Sequence, residues 1–342
     1  MQVLNSAAFL DCLSKPRVKS YSNFFYPGVM QPSESDLVYM YQWNSEVSEI
    51  LWKLISIIEI TMRNKVHKEL SRLYFSSPKE IVANGVYQNN FANSKVPTST
   101  IGDAGSCNWY HAINFSGEAL VNITKRTHYK KPNNKYYTKP YVVTPDDVIS
   151  GLTFGFWRLI FKNLGSAGVS YQAIISDIFV HSPFYKQTVT QSLDFKVDSR
   201  ISMIHSFRNR ISHHEPVWKL KDMKEEKITP ILGNPNNVNV LKAKPSNKIE
   251  VFEHLTDYYK MMLEYLLWLD KDVARSFKGS WWNDRFFYIC SDKGVNSFLY
   301  SYSAEYELTK THLKRNVNQI LKKGNMRMIT DKSRKAIILP LK

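Results

Sequence analysis

Residues 33 to 77 form the longest stretch of the sequence that contains neither proline nor glycine. Within it, apolar residues recur at steps of three and four, at Val47, Ile50, Leu51, Leu54 and Ile58. Because an α-helix turns once every 3.6 residues, this spacing places all five side chains on one face. The sequence therefore predicts a long amphipathic helix over this stretch.

Other regions also have helical patterns. One begins after Thr144, where a capping residue and two acids precede a mostly apolar run. In that run, Gly151 and Gly155 leave room for the close approach of a neighbouring element. Further helices are predicted at residues 191–214 and 249–275, where apolar residues recur at helical steps, and a short one near residues 112–123.

Strand-like alternation is nowhere sustained, so we predict a mainly α fold, a helical bundle with a polar insertion and a basic C-terminal extension. The predicted bundle core comprises residues 36–75 and 146–275. The insertion, residues 76–145, is rich in Asn, Ser and Pro. Together these parts make one helical domain over residues 1–275, and residues 276–342 form the extension.

The chain has 46 Lys and Arg against 30 Asp and Glu, a formal net charge of +16. Two segments carry fifteen of these surplus charges: residues 119–145 have six cations and no acid, and residues 310–342 have ten cations and one acid. A cationic surface attracts polyanions such as nucleic acid. In the first segment lysines alternate with tyrosines, a composition typical of single-stranded nucleic-acid binding, although a solvated loop explains it equally. The predicted RNA-binding residues are Lys125, Arg126, Lys130, Lys131, Lys135, Tyr136, Lys314, Arg315, Lys322 and Lys323.

The composition also excludes several classes of protein. With 43% hydrophobic residues the chain can bury a core, so wholesale disorder is excluded. The cysteines Cys12, Cys107 and Cys290 match no disulfide scaffold or metal motif, which favours a reducing cytosol. The first residues lack the pattern of a signal peptide, and no apolar run is as long as a membrane span. We expect a cytoplasmic protein without membrane insertion, cofactor or metal.

The segment SFRNRISHHEPVW, residues 206–218, contains the most chemically informative residues. On the predicted helix Arg208 falls within the apolar stripe. A guanidinium keeps its proton, so this position requires a carboxylate, a cleft or a bound anion. Asn209 and His213 lie one turn apart on a neighbouring face. The helix end thus presents a fixed cation, an amide and an imidazole close together.

These three groups suit the cleavage of a phosphodiester in RNA. Histidine exchanges a proton near neutral pH, and arginine can hold two phosphate oxygens as charge develops in the transition state. RNA supplies its own nucleophile, the 2′-hydroxyl, so no metal is required. The alternative is structural: Arg208 would pair with a carboxylate, and His213 and His214 would bond the last helix carbonyls.

A second polar stripe lies on the first predicted helix. Glu59, Arg63 and His67 are spaced i, i+4 and i+8, with Asn64 beside them. Glu59 would neutralise Arg63 or Arg208 and help to build the same cleft. The alternative is a ladder of surface ion pairs worth a few tenths of a kcal/mol each.

Three blocks of the sequence together resemble the Abi-like abortive-infection proteins of bacterial phage defence, which belong to the wider HEPN ribonuclease superfamily. The blocks are YQWNSEVSEILWKLISIIEITMRNKVHKEL at 41–70, VISGLTFGFWRLIF at 148–161 and RISMIHSFRNRISHHEPVW at 200–218. With the helix that follows, the resemblance covers about two thirds of the chain. Residues after about 276 fall outside it.

The resemblance implies roles for individual residues. The superfamily's RNxxxH motif, which cleaves RNA by 2′-hydroxyl attack and leaves a cyclic phosphate, corresponds to Arg208, Asn209 and His213. The family's first-helix ExxxRN motif corresponds to Glu59, Arg63 and Asn64. His214 matches a second histidine of the family, to which no role is assigned.

The leading hypothesis is a metal-independent endoribonuclease of bacterial defence. HEPN nucleases usually combine two motifs across an interface, and this chain has one full copy, which implies a homodimer with a composite site. An alternative is an RNA-binding protein that forms a ribonucleoprotein with a structured small noncoding RNA and cleaves little or nothing. A third, a nucleotidyl-modified toxin held by a partner protein, rests on family analogy alone. In the leading hypothesis, the separation of the basic segments from the motif suggests that different parts of the chain bind and cleave RNA.

Overall fold

The fold is mainly α, as predicted. The computed structural model describes residues 5–76, 101–113, 115–130, 136–169, 172–184, 190–226, 239–299, 307–323, 327–331 and 334–338. The helices of this part of the chain are α1 (Ser6–Asp11), α2 (Lys15–Phe25), α3 (Glu34–Ser76), α4 (Gly117–Thr127), α5 (Pro145–Ser150), α6 (Phe154–Arg158), α7 (Ile160–Ser166), α8 (Gln172–Ile178), α9 (Thr190–Ser212), α10 (Lys248–Leu269), α11 (Lys271–Lys278), α12 (Trp281–Ile289), α13 (Asp292–Leu299) and α14 (Lys310–Lys323). A single turn of 3-10 helix covers Trp109–His111.

The strands are short and form three small sheets. Two are antiparallel hairpins, β1 (His128–Lys130) with β2 (Tyr136–Thr138) and β3 (Met223–Lys224) with β4 (Val240–Lys242). The third contains β5 (Glu307–Thr309), β6 (Arg327–Asp331) and β7 (Arg334–Ile338), with β5 parallel and β7 antiparallel to β6. The first hairpin lies in the tyrosine- and lysine-rich segment, where the sequence predicts a loop or short hairpin.

Helix α3, with 43 residues, is the central element of the fold and confirms the predicted long helix. All five apolar residues of its predicted face are buried. Each contributes roughly 1.5 to 3 kcal/mol of transfer free energy, before conformational entropy is subtracted. Helix α3 contacts α1, α2, α6, α8, α9, α10, α12 and α13, so most of the bundle is assembled on this helix.

Two of the predicted helices are interrupted in the structure. The run after Thr144 divides into α5, α6 and α7, because Gly151 ends α5 and the hydroxyl of Thr153 accepts a hydrogen bond from Phe156 N to begin α6. The helix predicted over 249–275 divides at Asp270. Its extended backbone ends α10, and its carboxylate accepts hydrogen bonds from the first turn of α11.

The buried core includes parts of the chain that lie outside the predicted bundle. Trp109 and Phe115, from the region predicted as a polar insertion, are buried in the main hydrophobic cluster. The cluster also extends past residue 275, since Phe286 and Val295 belong to it and the Nε1–H of Trp43 donates to the carbonyl of Ile289 at 2.8 Å. The chain from α1 to α13 therefore packs around one core.

No helix among the described residues has an apolar stretch long enough to cross a bilayer.

Candidate functional site

Arg208 and Asn209 of the RNxxxH motif lie near the end of α9 and His213 follows directly after it, and α9 packs against α3, α6 and α10. The helix ends in a Schellman motif: His214 N donates to Ile211 O at 3.0 Å, and Glu215 N donates to Arg210 O at 2.8 Å. This motif requires a left-handed residue, usually glycine, and His214 occupies it with φ of 55°. The backbone conformation of His214 therefore determines where α9 stops.

The segment after His214 is fixed by three independent contacts. The backbone N–H of Val217 donates to Oδ1 of Asn44 on α3 at 2.9 Å. Trp218 packs against Phe24 of α2 with ring centroids 4.7 Å apart. Arg210 donates to backbone carbonyls of the same segment, among them that of Lys219. The site is thus attached to α2 and α3, and Asn44, which belongs to the first block of the family resemblance, is a positioning residue.

Arg208 is half-buried beside α3 and has no carboxylate within 4 Å among the described residues. Its Nε is buried without a hydrogen-bond partner in that part of the chain. Its guanidinium lies 5.8 Å from the ring centroid of Trp52 on α3. The structural alternative, in which Arg208 pairs with a carboxylate, therefore finds no ion pair here.

Arg200, two turns earlier on α9, has a different environment. It is buried and pairs with Glu226 at 2.6 Å and Glu264 at 2.8 Å, and it stacks on Trp268 at 3.9 Å. Desolvating a guanidinium is costly, and here two carboxylates offset that cost. The same helix thus carries a neutralised arginine at 200 and one without an ion pair at 208.

Glu59 faces the two arginines that the sequence associated with it. Burial raises the pKa of Glu59, and the positive charges of Arg63 and Arg208 oppose this rise. Arg63 donates from Nη1 to the carbonyl of Ser150 at the end of α5, at 3.1 Å. Asn64 is exposed on the next position of α3. Arg63 therefore contacts α5, and Glu59 interacts with both Arg63 and Arg208.

Asn209 is held by a residue that the sequence did not single out. Its side-chain nitrogen Nδ2 lies 3.3 Å from Nε2 of His205, one turn earlier on α9. Burial lowers the pKa of His205, and the charges of Arg158 and Arg208 lower it further, so a neutral ring accepts this hydrogen bond. His205 stacks on Phe154 of α6 at 5.6 Å with parallel rings. The LTFGFW block thus orients Asn209 through His205.

His213 and His214 are both exposed at the end of α9. The backbone N–H of His213 donates to Asn209 O at 2.9 Å, which continues the helical pattern past Ser212. His214 lines an open groove between α3 and the end of α9, which we call the α3–α9 groove. The groove has a volume of about 360 Å³, and its lining includes Ser45, Ser48, Glu49, Trp52 and Ser212.

His67, the third residue of the predicted polar stripe, is buried elsewhere. Nε1–H of Trp109 donates to its Nδ1 at 2.8 Å, so the ring proton must be on Nε2, 2.9 Å from Ser106 Oγ. Ser106 in turn donates to Asp146 at 2.8 Å. Burial lowers the pKa of His67, although Asp146 opposes this effect. Because Nε2 is protonated, His67 cannot accept a proton from Ser106, and this Ser–His–Asp cluster does not form a nucleophilic triad.

Part of the first predicted RNA-binding segment packs against α5. Lys125 and Arg126 are exposed in the last turn of α4, and the Arg126 side chain lies against Gly151, where a β-carbon would be 2.7 Å from its Cδ. This confirms the predicted close approach at Gly151. Arg63 contacts the preceding residue, Ser150, so Arg126 and Arg63 meet at one turn. The expectation that the basic segments lie apart from the RNxxxH motif stays a prediction.

For the other predicted RNA-binding residues, the structure gives only the backbone or the exposure, and two lie outside the described residues. Lys131 and Lys135 lie outside the described residues, and the backbones of Lys130 and Tyr136 pair across the β1–β2 hairpin. Lys314, Arg315 and Lys322 are exposed on α14, and Lys323 is its last residue. Helix α14 packs on β5 and β6.

Fold and site together define a mainly helical protein in which a long helix, α3, and the end of α9 hold an RNxxxH segment beside an open groove. A family model described as Abi-like protein matches residues 8–219, more than half of the chain, and the chain belongs to this family. Membership of the family points to a role in abortive infection. A search of curated proteins found no match, and a search of solved structures found none either.

Proposed function

We propose that the protein is a cytoplasmic endoribonuclease of abortive infection, of the HEPN type, that cleaves RNA through its 2′-hydroxyl. The observation that carries this proposal is Arg208, a half-buried cation with a buried, unbonded Nε and no carboxylate within 4 Å among the described residues. A phosphate suits such a guanidinium, because two of the guanidinium N–H groups match two phosphate oxygens.

The groups around Arg208 have complementary tasks in this reaction. Arg208 holds the non-bridging oxygens of the scissile phosphate, and Asn209, oriented by His205, donates to the same phosphate. His213, exposed one turn further on, exchanges protons with the reacting oxygens. The 2′-hydroxyl loses its proton and attacks phosphorus, the bond to the 5′-oxygen breaks, and that oxygen gains a proton. The products are a 2′,3′-cyclic phosphate and a 5′-hydroxyl, and water is not consumed.

The proposed reaction needs a base for the 2′-hydroxyl and an acid for the 5′-oxygen. One His213 can act either as the base or as the acid in this reaction, so a homodimer with two copies of the motif would supply both groups. Light scattering on the full-length protein measures its oligomeric state. A strict monomer that cleaves RNA would remove the composite site from the proposal.

RNA reaches this site along a cationic surface. Arg126 and Arg63 meet at the end of α5, and Glu59 interacts with both Arg63 and Arg208. Successive guanidinium groups of this kind can bind successive phosphates of one strand.

A second candidate function is RNA binding without cleavage, in a ribonucleoprotein with a small noncoding RNA. It is favoured by the surface around the first hairpin, where Tyr129 is 40% and Tyr141 is 63% exposed and Lys139 lies 5.7 Å from the Tyr141 ring. Extraction of RNA from the purified protein distinguishes the two functions, since one discrete RNA species favours the ribonucleoprotein.

The chemistry of the product ends tests the endoribonuclease proposal. A defined RNA incubated with the full-length protein should give fragments with 2′,3′-cyclic phosphate and 5′-hydroxyl ends, which mass spectrometry identifies. The same RNA with a 2′-O-methyl group at the cleaved nucleotide should resist cleavage there, since it has no nucleophile. Fragments with 5′-phosphate ends would contradict the proposal, because they require attack by water.

A further inference from the structure

The α3–α9 groove lies directly beside Arg208 and has the size of a small-molecule site, about 360 Å³. Trp52 connects the two, since its ring lines the groove and also faces the Arg208 guanidinium at 5.8 Å. The ring is 39% exposed, although tryptophan is one of the residues that gain most from burial. An exposed indole next to a cation without an ion pair is the arrangement in which a base stacks while its phosphate is bound.

The polar wall of the groove consists mainly of hydrogen-bond acceptors. Ser45, Ser48 and Ser212 each donate their hydroxyl proton to a backbone carbonyl of their own helix, at 3.1, 2.7 and 2.9 Å. Their oxygens therefore offer lone pairs to a ligand and no proton. Glu49 and Glu215 add two carboxylates to the same lining. Tyr41, Asn44 and His214 also line the groove and can donate hydrogen bonds, but the carboxylates and the serine oxygens favour a ligand that presents N–H donors.

Among the RNA bases, adenine, cytosine and guanine carry an exocyclic amino group with two N–H donors, whereas uracil has two carbonyl oxygens and a single ring N–H. We propose that the α3–α9 groove is a nucleobase subsite, in which Trp52 stacks on a base with an amino group and Glu49 accepts a hydrogen bond from that group. This inference rests on the proposed function, since it places the base next to the phosphate that Arg208 holds. It assigns Trp52 and Glu49 to substrate binding and selectivity.

Binding of uncleavable RNA tests the subsite without reference to catalysis. Labelled tetranucleotides of 2′-O-methyl adenosine and 2′-O-methyl uridine are titrated with the full-length protein, and fluorescence anisotropy gives Kd. We expect tighter binding of the adenosine oligomer, a loss of about tenfold in its affinity in Trp52→Ala, and near-complete retention in Trp52→Phe, which still stacks. Trp281→Ala is the matched control, because Trp281 is 49% exposed on α12 and does not line the groove.

The role of Glu49 has its own variant pair. Glu49→Gln should reduce the preference for adenosine over uridine by about fivefold, as expected for one lost charged hydrogen bond. Glu49 also pairs with Lys53, so Lys53→Gln controls for the loss of that ion pair and should retain the preference. Unchanged affinity in Trp52→Ala, or an equal loss in Trp281→Ala, would overturn the subsite.

The two proposals fail in different measurements. If His213→Ala cleaves RNA as well as the unmodified protein, the proposed function fails, and the affinities of the uncleavable oligomers still decide the subsite. If His213→Ala is inactive but Trp52→Ala binds both oligomers normally, the endoribonuclease stands and the subsite is refuted.

Discussion

Replacing His214 with glycine is expected to stabilise the protein while it removes a side chain from the α3–α9 groove. His214 has φ of 55° at the position of the Schellman motif that glycine usually occupies. The left-handed conformation costs a residue with a side chain about 1 to 2 kcal/mol. Glycine offsets part of this gain, because the larger entropy of the unfolded chain destabilises the fold by about 0.5 to 1 kcal/mol. We therefore expect a net increase of roughly 0.5 to 1 kcal/mol in the free energy of unfolding.

Urea unfolding followed by circular dichroism measures this gain, and two variants serve as controls. His214→Ala also removes the imidazole but keeps the strained backbone, so it should be about 1 kcal/mol less stable than His214→Gly. His213→Gly places glycine at a neighbouring position without positive φ and should not stabilise the protein. If His214→Gly were less stable than the unmodified protein, or equal to His214→Ala, the reasoning from backbone strain would be wrong.

Two further predictions concern acid stability and RNA affinity. Burial lowers the pKa of His111 to about 3 and that of His128 to about 4, so below pH 6.5 the unfolded chain binds more protons and stability falls. Between pH 7 and pH 5 each histidine lowers the free energy of unfolding by about 2 kcal/mol. In urea unfolding, the free energy of His111→Gln should therefore fall by about 2 kcal/mol less over this pH range than that of the unmodified protein. An identical pH dependence of the two proteins would contradict the prediction. The second prediction concerns the first basic segment, with neutralising substitutions at Lys125, Arg126, Lys130 and Lys131. These should weaken RNA binding and reduce the dependence of log Kd on salt concentration. An unchanged salt dependence would favour the alternative that the segment is a solvated loop.

The periodic parts of the fold could be predicted because their pattern is local. Helix α3 was predicted within one residue of its observed ends, since an unbroken apolar face specifies a helix without reference to the rest of the chain. The helix predicted over residues 191–214 is observed as α9 over Thr190–Ser212, within two residues at each end. The divisions at Gly151 and Asp270 were missed, because side-chain capping competes with the continuation of a helix and periodicity does not report it.

The environment of the site depends on contacts between distant parts of the chain. The RNxxxH residues could be selected from spacing, but the sequence could not show that Arg200 forms ion pairs with two carboxylates while Arg208, among the described residues, has no carboxylate within 4 Å and interacts only at longer range with Glu59. The contact of Asn44 with Val217 joins residues 173 positions apart, and no local pattern predicts it. The stacking of Phe154 on His205 also joins distant positions and is not predicted by any local pattern, although LTFGFW is part of a block that carries the family resemblance.

The cleavage rate of site variants tests the endoribonuclease proposal most directly. Purified full-length protein, Arg208→Gln and His213→Ala are compared on one RNA substrate, with Lys68→Gln, which removes an exposed cation of α3, as the control. We expect both site variants to lose at least about 100-fold in rate while they unfold at the same urea concentration as the unmodified protein, and the control to retain its rate. Folded Arg208→Gln and His213→Ala proteins that cleave RNA at the unmodified rate would contradict the proposal.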